Sequence, residues 1–582
     1  MNRKERRAAV KQATRSGAAP SSFDPAARLF AEATRQQNEN KLEDAARIYK
    51  RVLQIKPDHA EAINNLGAVL QAQGKLREAS AYFAQSLTLM PQLFEQYSGV
   101  NTTLLAVLPP MREAMRRANN AWPNRLSIDQ LFGSAGLAAI GDDPMLLCML
   151  QSVPPRNLEF ERIMTSLRLS LLDNASTGEP PAELTLRFCC ALAKQCFINE
   201  YVFATTSDED AKVEWLKIAL GEAIKSGAAI APFSIAAIAM YQPLHALADA
   251  QDLLDRTWPP AIDDVLSQQL REPAQELALR ASIPRLTPIE DNTSQRVRQQ
   301  YEENPYPRWV NIAGGIEPVP LDNFLRGRFP TAALTPLRKT ERLDVLVAGC
   351  GTGLQAAQTA QGCQGARVLA VDLSLTSLSY AMRKTPARLS NRIEYAQADI
   401  LKLGTIGRTF DMIEASGVLH HMRDAFEGWR ILVSLLRPDG IMHLGFYSEA
   451  ARGDVTAARA FIARRGYAST PADIRRCRQE LLQTPLNSVS RFSDFFSTSE
   501  CRDLLLHVQE SYMTIPKIKE FLDNHALKFI GFDFKESVAR EFFALFSNSG
   551  WSMSDLGKWH ALELKYPNTF ADMYQFWVQK TR

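Results

Sequence analysis

The sequence lacks a hydrophobic run long enough to cross a membrane, although hydrophobic residues make up 46% of its 582 positions. Its longest nearly apolar stretch, residues 227–241, is interrupted by Pro232, whereas a spanning helix needs about 20 apolar residues. The first ten residues are basic but have no apolar core like that of a secretory signal. We therefore expect a cytoplasmic protein without a membrane span, and a buried helix at residues 227–241. The basic start is interpreted as a solvated tail, with a mitochondrial presequence as the alternative.

The sequence also lacks a large net charge and lacks cysteines at the spacing of a metal site. The 67 basic and 64 acidic residues leave a net charge of +3, so we expect no nucleic-acid partner. The eight cysteines are scattered, and none forms a cysteine or histidine pair with metal-ligand spacing. We expect no bound metal and no disulfide framework. Cys189, Cys190 and Cys196 share one apolar helical pattern and are interpreted as core residues.

The length suggests about three domains, and the changes in composition and periodicity predict a multidomain α plus α/β protein. The predicted segments are a basic flexible tail at 1–22, helical repeats at 23–125, an all-α region at 126–297, and an α/β domain at 298–582 with a core at 343–446 and a helical insertion at about 450–508.

The repeat segment has a period of 34 residues, which resembles that of tetratricopeptide (TPR) helix pairs. The matching positions are Ala33 with Gly67, Ala45 with Ala79, Tyr49 with Phe83, and Pro57 with Pro91. Residues 94–122 have the length of a third pair but poor register. TPR pairs form a concave groove, so we expect a protein or peptide partner there, with Asn64, Asn65 and Gln71 as candidate lining residues.

The all-α region shows apolar residues at three-to-four spacing in residues 158–172, 184–196 and 211–225, separated by proline pairs. It contains no recognisable chemistry. We interpret it as a spacer or as a region that shapes a substrate site.

Residues 344–353, Asp-Val-Leu-Val-Ala-Gly-Cys-Gly-Thr-Gly, carry the strongest functional signal. A short apolar strand is followed by three glycines and then by a helix that begins near Leu354. Glycines allow the backbone N–H groups of such a turn to approach a ligand, and the helix N-terminus adds partial positive charge. A second apolar strand ends on Asp372, about twenty residues later, where a carboxylate reaches ribose hydroxyls. The pattern predicts a nucleoside-binding α/β domain.

The glycine spacing distinguishes two cofactor classes. A dinucleotide site requires G-x-G-x-x-G/A, but here the pattern is G-x-G-x-G followed by the bulky Leu354. This form resembles motif I of the class I S-adenosylmethionine (SAM) methyltransferases. Three later segments strengthen the resemblance: a strand ending at Asp399, residues 410–422 with Val-Leu-His-His, and the Pro–Gly turn at 436–440. The resemblance covers residues 343–446 and implies a Rossmann-like sheet of order 3-2-1-4-5-7-6.

The resemblance also implies SAM as cofactor, with Asp372 at the ribose and Asp399 at the adenine amino group. The expected cofactor-binding residues are Gly349, Cys350, Gly351, Gly353, Asp372, Leu373, Asp399, Ile400 and Ser416. One departure is Ala348, because the family usually has an acidic residue there to hold the methionine ammonium. Either water and backbone carbonyls hold that group, or another acid such as Glu414 does.

His420 and His421 are the candidate catalytic bases, because imidazole titrates near neutrality. A base is needed only when the acceptor is protonated, and one histidine of an adjacent pair is expected to be structural. The segment at 301–309 is a further candidate, with Tyr301, Tyr306, Arg308 and Trp309 held between two prolines. It is either a lid with substrate contacts or a hydrophobic clasp between domains.

The leading hypothesis is a SAM-dependent methyltransferase whose TPR repeats recruit a protein partner or substrate. The alternative is a TPR scaffold with an inactive methyltransferase-like domain. A nicotinamide-dependent oxidoreductase conflicts with Leu354, which stands at the position where close helix–strand packing needs a small residue.

Overall fold

The computed structural model describes residues 24–90, 99–313, 317–337, 341–546 and 553–581. The predicted basic tail at 1–22 lies outside the described residues. Pro91 of the repeat alignment lies outside them as well.

The first described part of the chain consists of packed helix pairs. Its helices are α1 (Pro25–Asn38), α2 (Leu42–Ile55), α3 (Ala60–Ala72) and α4 (Leu76–Leu89). Ala33, Ala45 and Ala79 are fully buried, as small residues at helix contacts should be. A Cβ on Gly67 would lie 3.0 Å from the Phe83 ring, so this position also requires a small residue. The predicted repeat is therefore present as two helix pairs.

The region that follows is helical. Its helices are α5 (Gly99–Val107), α6 (Pro109–Ala121), α7 (Ile128–Phe132), α8 (Pro144–Ser152), α9 (Leu158–Ser176), α10 (Glu183–Ile198), α11 (Ser207–Ser226), α12 (Pro232–Ala239), α13 (Pro260–Leu266) and α14 (Glu272–Leu279). The apolar run at 227–241 is a helix only from Pro232, because proline fits the first helical position, where no N–H is needed. Cys189, Cys190 and Cys196 are buried on α10, as predicted.

The repeats and the helical region share one continuous hydrophobic core. Helix α4 packs on α8, and α6 packs on α9. At the junction the buried Ser80 hydroxyl donates to Asp143 Oδ1 at 2.9 Å and accepts from the Met145 N–H at 3.0 Å. The repeats therefore cover apolar surface of the region that follows them.

The C-terminal half contains a seven-stranded sheet. Its strands are β1 (Leu343–Ala348), β2 (Ala366–Asp372), β3 (Ile393–Gln397), β4 (Phe410–Ser416), β5 (Leu436–Phe446), β6 (Leu527–Asp533) and β7 (Tyr574–Lys580). The order is β3-β2-β1-β4-β5-β7-β6, with β7 antiparallel to both neighbours and the other pairs parallel. The predicted order 3-2-1-4-5-7-6 is confirmed.

Helices precede, cover and interrupt this sheet. They are α15 (Asn292–Glu303), α16 (Leu321–Arg328), α17 (Leu354–Gly362), α18 (Leu375–Lys384), α19 (Ala425–Leu435), α20 (Gly453–Arg465), α21 (Pro471–Leu482), α22 (Thr498–Leu506), α23 (Ile515–Asn524), α24 (Glu536–Phe546) and α25 (Leu556–Lys565).

The insertion after β5, formed by α20, α21 and α22, packs against the N-terminal helical region. Its apolar residues belong to the same core as the N-terminal helical region. The guanidinium of Arg478 on α21 forms two hydrogen bonds, of 3.0 and 2.8 Å, with the carboxylate of Glu161 on α9. The insertion thus connects the C-terminal half of the chain to the N-terminal helical region. The domain boundaries that were drawn from the sequence stay a prediction.

Among the described residues, no single helix combines the length and apolar composition that a membrane crossing requires. The helical segments at 128–139 and 144–152 meet both criteria only when they are joined, and the two segments are bent by 100° relative to each other.

Candidate functional site

A cavity of about 470 Å³ lies beside the glycine-rich loop, where β1, β2 and β4 end. Ligands of open α/β sheets bind outside the carboxyl ends of the strands, so its position agrees with the topology. It is lined by Ser294, Val297, Tyr301, Tyr306, Pro307, Gly349, Cys350, Gly351, Leu354, Gln355, Gln358, Asp372, Leu373, Ala398, Asp399, Ile400, Ser416, Gly417, Val418, His421, Met422, His443, Tyr447, Asp503, Met573 and Gln575.

The glycines of the loop are required by the protein's own packing. Gly351 has a φ of +51°, and a Cβ there would lie 2.6 Å from the carbonyl oxygen of Tyr306. A Cβ on Gly349, which has a φ of +71°, would collide with the Val418 side chain. The sequence suggested that these glycines make room for a ligand. The structure adds that they let the chain before β1 and the loop after β4 approach the turn.

Asp372 ends β2 with its carboxylate under the loop. Its Oδ2 accepts from the Gly351 N–H at 2.8 Å, and its Oδ1 accepts from the Ser374 N–H at 2.9 Å. Burial outweighs these bonds and raises the pKa of Asp372 to about 6. The carboxylate also lines the cavity, so it keeps acceptor capacity for a ligand hydroxyl.

Asp399 follows β3 and has an unused acceptor. Its Oδ1 accepts from the Leu401 N–H at 3.0 Å. Its Oδ2 is buried and accepts no hydrogen bond from the described residues. Burial raises the pKa of this carboxyl, and the nearby Ser294 hydroxyl lowers it by a smaller amount. Because a buried acceptor without a partner costs about 1–3 kcal/mol, this oxygen is suited to a ligand N–H donor.

The structure brings most of the predicted cofactor residues to the cavity. Cys350, Leu373, Ile400 and Ser416 line it together with Gly349, Gly351, Asp372 and Asp399. Gly353 is not among the lining residues, and a Cβ there would lie 2.5 Å from the Cβ of Ala381.

Glu414 does not take the place of the acidic residue missing at Ala348. It lies on β4 beside Val347 of β1, and its Oε2 accepts from the Thr359 hydroxyl at 2.6 Å. The side chain is buried and does not line the cavity, and burial raises the pKa of its carboxyl. Neutral polar residues that do line the cavity include Gln355, Gln358 and Gln575.

The two histidines after β4 have different environments. His421 lines the cavity, and its Nδ1 lies 2.9 Å from the Gln509 carbonyl oxygen. Since a carbonyl only accepts, Nδ1 carries the proton and Nε2 is the basic nitrogen. His420 is 1% exposed and does not line the cavity, and burial lowers its pKa well below the usual range. Only His421 is therefore placed to meet a ligand.

The segment at 301–309 lies over the glycine loop. Tyr301 and Tyr306 line the cavity. The indole of Trp309 is buried and donates to the Thr352 carbonyl at 2.9 Å, while the Thr352 hydroxyl donates to the Pro307 carbonyl. The two tyrosines thus occupy the position expected of a lid, whereas Trp309 fastens the segment to the loop.

Arg308 points away from the cavity, contrary to the lid interpretation. Its Nε lies 3.1 Å from Glu200 Oε1, and its guanidinium stacks over the Phe197 ring. It therefore belongs to the interface with the helical region. Arg308 turns to this interface because Glu200 and the Phe197 ring offer it an ion pair and an aromatic face there, whereas the two tyrosines occupy the cavity side.

Sequence reasoning missed His443, Tyr447 and Asp503. His443 lies on β5, where its ring stacks on Trp577 with centroids 4.3 Å apart, and Tyr447 directly follows β5. Strand alternation could have indicated His443. Asp503 comes from α22 of the insertion, and no local signal marks it, because tertiary packing alone brings it to the cavity.

His421, Asp503 and His507 have the composition of a metal site, with potential ligand atoms within 4.8 Å of one another. The imidazoles of His421 and His507 are stacked, however, with centroids 3.7 Å apart and an interplanar angle of 18°. Lone pairs in two parallel rings do not converge on one ion. In addition, His507 Nδ1 accepts the Gln509 N–H at 3.0 Å, which leaves the proton on Nε2. The cluster is arranged for hydrogen bonding.

Two family models match the chain. Residues 345–440 match the model described as a methyltransferase domain, and residues 36–98 match that of the tetratricopeptide repeat. Among solved structures, PKMT2 from Rickettsia typhi in complex with AdoHcy aligns with a TM-score of 0.35 and 16% identity, covering 44% of this chain and 52% of that chain.

Curated relatives match parts of the chain. An uncharacterized protein of Synechococcus is 27% identical over 264 residues, which are 42% of this chain and 60% of that protein. The ubiquinone biosynthesis O-methyltransferase of Methylocella silvestris is 36% identical over 105 residues, 18% of this chain and 40% of the relative. The chain thus spans 60% or less of the length of these relatives. The chain joins tetratricopeptide repeats at residues 36–98 to a class I methyltransferase domain at residues 345–440.

Proposed function

We propose that this protein transfers a methyl group from SAM to an acceptor that enters the same cavity. The observation that carries the proposal is the pair of carboxylates at the ends of β2 and β3. Asp372 faces the cavity from beneath the glycine loop, where it can accept from both ribose hydroxyls. Asp399 offers its unused Oδ2 to the adenine amino group.

The remaining lining residues fit the other parts of the cofactor. Leu373, Ile400 and Met422 supply apolar surface for the adenine ring. Gln355, Gln358 and Gln575 supply neutral polar groups for the amino acid end, and they compensate for Ala348 in this proposal. Bound SAM would supply an electrophilic methyl carbon attached to a sulfonium.

The protein's own contribution is alignment, exclusion of water and removal of a proton. Tyr301 and Tyr306 close the cavity from the side of the preceding segment. We assign the base to His421, because its Nδ1–H is fixed by Gln509 and its Nε2 therefore carries the lone pair. His420 Nε2 lies 3.1 Å from that Nε2 and donates to it, so this hydrogen bond has to open before His421 accepts a proton from the substrate.

The TPR repeats are proposed to recruit a protein or peptide. Among the candidate groove residues, Asn65 donates to the Tyr49 hydroxyl at 3.2 Å and thereby stabilises the contact between α2 and α3. Asn64 and Gln71 are half-buried and remain the groove candidates.

Incubation with methyl-tritiated SAM and a cell lysate tests the activity. We expect label to enter an acceptor with wild-type protein, and the loss of most transfer with His421→Ala. His525→Ala, which changes a histidine that does not line the cavity, serves as control. No transfer to protein or small molecules, despite measurable SAM binding, would support the alternative of a scaffold with an inactive domain.

A further inference from the structure

Five residues that line the cavity form a cluster with a distinct chemistry. They are Tyr301, Tyr306, His421, Tyr447 and Asp503. No lysine or arginine is found among the described residues that line the cavity. Asp372 and Asp399 face the proposed cofactor, so Asp503 is the carboxylate left for a second ligand.

No lysine or arginine of the described chain forms a salt bridge with the Asp503 carboxylate, and Arg459 reaches only its backbone carbonyl, at 3.2 Å. Asp503 is 2% exposed, and within the described structure the basic nitrogens closest to its carboxylate belong to His421 and His507, at 3.9 and 3.8 Å. Burial lowers the pKa of His507, so its imidazole is neutral. A buried carboxylate that lacks a compensating charge is unfavourable, and a bound cation relieves that cost.

A directed chain of hydrogen bonds holds the carboxylate in place. His507 Nε2 carries the proton and lies 3.2 Å from the Tyr301 hydroxyl oxygen. The Tyr301 hydroxyl in turn donates to Asp503 Oδ1 at 2.6 Å. Burial raises the pKa of Tyr301 well above its usual range, so the phenol remains a donor. Both donors are neutral, so they orient the carboxylate without cancelling its charge.

Aromatic side chains line the cavity near the Asp503 carboxylate. Tyr306 lines the cavity, and burial raises the pKa of its phenol well above the usual range, with smaller contributions from Asp494 and Asp503. The ring of Tyr447 already accommodates a cation, because the guanidinium of Arg452, which is not among the lining residues, lies 3.4 Å from the ring centroid. Cations bind favourably over the faces of such rings.

We propose that the methyl acceptor is an amine, which binds in its cationic form between Asp503 and the ring of Tyr306. The inference rests on the proposed function and adds the class of substrate. An acceptor with a carboxylate or phosphate near its reactive atom would be repelled by Asp503 and would meet no lysine or arginine in the cavity lining.

The transfer step balances with groups already described. The ammonium loses one proton to Nε2 of His421, which frees the nitrogen lone pair. That lone pair forms the N–C bond as the C–S bond of SAM breaks, and the electron pair of the broken bond stays on sulfur. The products are S-adenosylhomocysteine and a methylated ammonium, whose charge remains beside Asp503.

Two isosteric probes test the inference on the full-length protein. Choline carries a trimethylammonium group, and 3,3-dimethyl-1-butanol has the same shape without charge. With the protein saturated by S-adenosylhomocysteine, we expect calorimetry to show that choline binds at least about tenfold more tightly than the alcohol. Asp503→Asn, which keeps an acceptor for Tyr301, should abolish this preference.

Two further variants test the role of the Tyr306 ring and control for the loss of a carboxylate elsewhere. Tyr306→Leu should weaken choline binding about fivefold or more through loss of the ring face. Asp523→Asn, which removes a carboxylate that is 61% exposed on α23, should leave the preference unchanged.

Equal affinity for both probes, or binding of neither while S-adenosylhomocysteine binds, would overturn the amine inference and leave the proposed methyltransferase function standing. Failure of S-adenosylhomocysteine itself to bind would contradict the proposed function and this inference with it.

Discussion

Replacement of Arg478 by alanine is expected to lower the free energy of unfolding by about 3–5 kcal/mol, because it leaves Glu161 buried without its partner. The Arg478 side chain is fully buried. Besides its two bonds to Glu161, it donates to the backbone carbonyls of Phe495 and Val202 at 2.9 and 3.0 Å. The variant therefore removes a contact among the insertion, α9 and the loop between α10 and α11.

The same helix offers a control. Arg476 on α21 is 71% exposed, where it pairs with Asp473 and lies over the Tyr467 ring, so Arg476→Ala should change stability by less than about 1 kcal/mol. Denaturant unfolding followed by fluorescence measures both variants. A loss below about 1 kcal/mol for Arg478→Ala would contradict the view that the buried pair fastens the insertion to the helical region.

Deletion of residues 1–122 is expected to yield insoluble or unfolded protein. If the repeats only recruited a partner, such a truncation would keep SAM binding and lose only the native acceptor. The structure changes this expectation, because the repeats share one core with the helical region. Removing α4 and α6 would expose buried side chains of α8 and α9, at about 1.5–3 kcal/mol for each large apolar residue.

Static light scattering and circular dichroism of the truncated protein check this expectation. A soluble, folded truncation that still binds SAM would show that the shared core is dispensable. Recruitment is better tested in the full-length chain with Asn64→Ala and Gln71→Ala, which leave the buried contacts intact. We expect these variants to reduce labelling of a native protein acceptor while SAM binding stays unchanged.

The parts of the site that local sequence encodes could be predicted. Gly349, Gly351 and Asp372 belong to one strand–turn–helix–strand unit, so their spacing alone fixes their relation. The sheet order also followed, because the antiparallel last strand came with the family resemblance. The 34-residue period of the repeats identified their helix pairs, because that period is also a property of local sequence.

Features that depend on distant packing could not be predicted. Asp503 reaches the cavity only because the insertion packs against the N-terminal helical region. The direction of Arg308 depends on Glu200, which lies about one hundred residues earlier in the chain. The difference between His420 and His421 depends on burial and on the Gln509 carbonyl, and neither is visible in an adjacent pair of identical residues.

The central claim is that Asp372 holds the ribose of SAM, and titration calorimetry tests it most directly. We expect wild-type protein to bind SAM and not NAD, and Asp372→Asn to weaken SAM binding by roughly 1.5–3 kcal/mol, about 10- to 150-fold, through loss of charge-assisted hydrogen bonds. Because the pKa of Asp372 is raised to about 6, wild-type affinity should fall as the pH drops below that value and the carboxylate is protonated, and the variant should lack this fall. Unchanged SAM affinity in a folded Asp372→Asn variant, or preferential binding of NAD, would contradict the account.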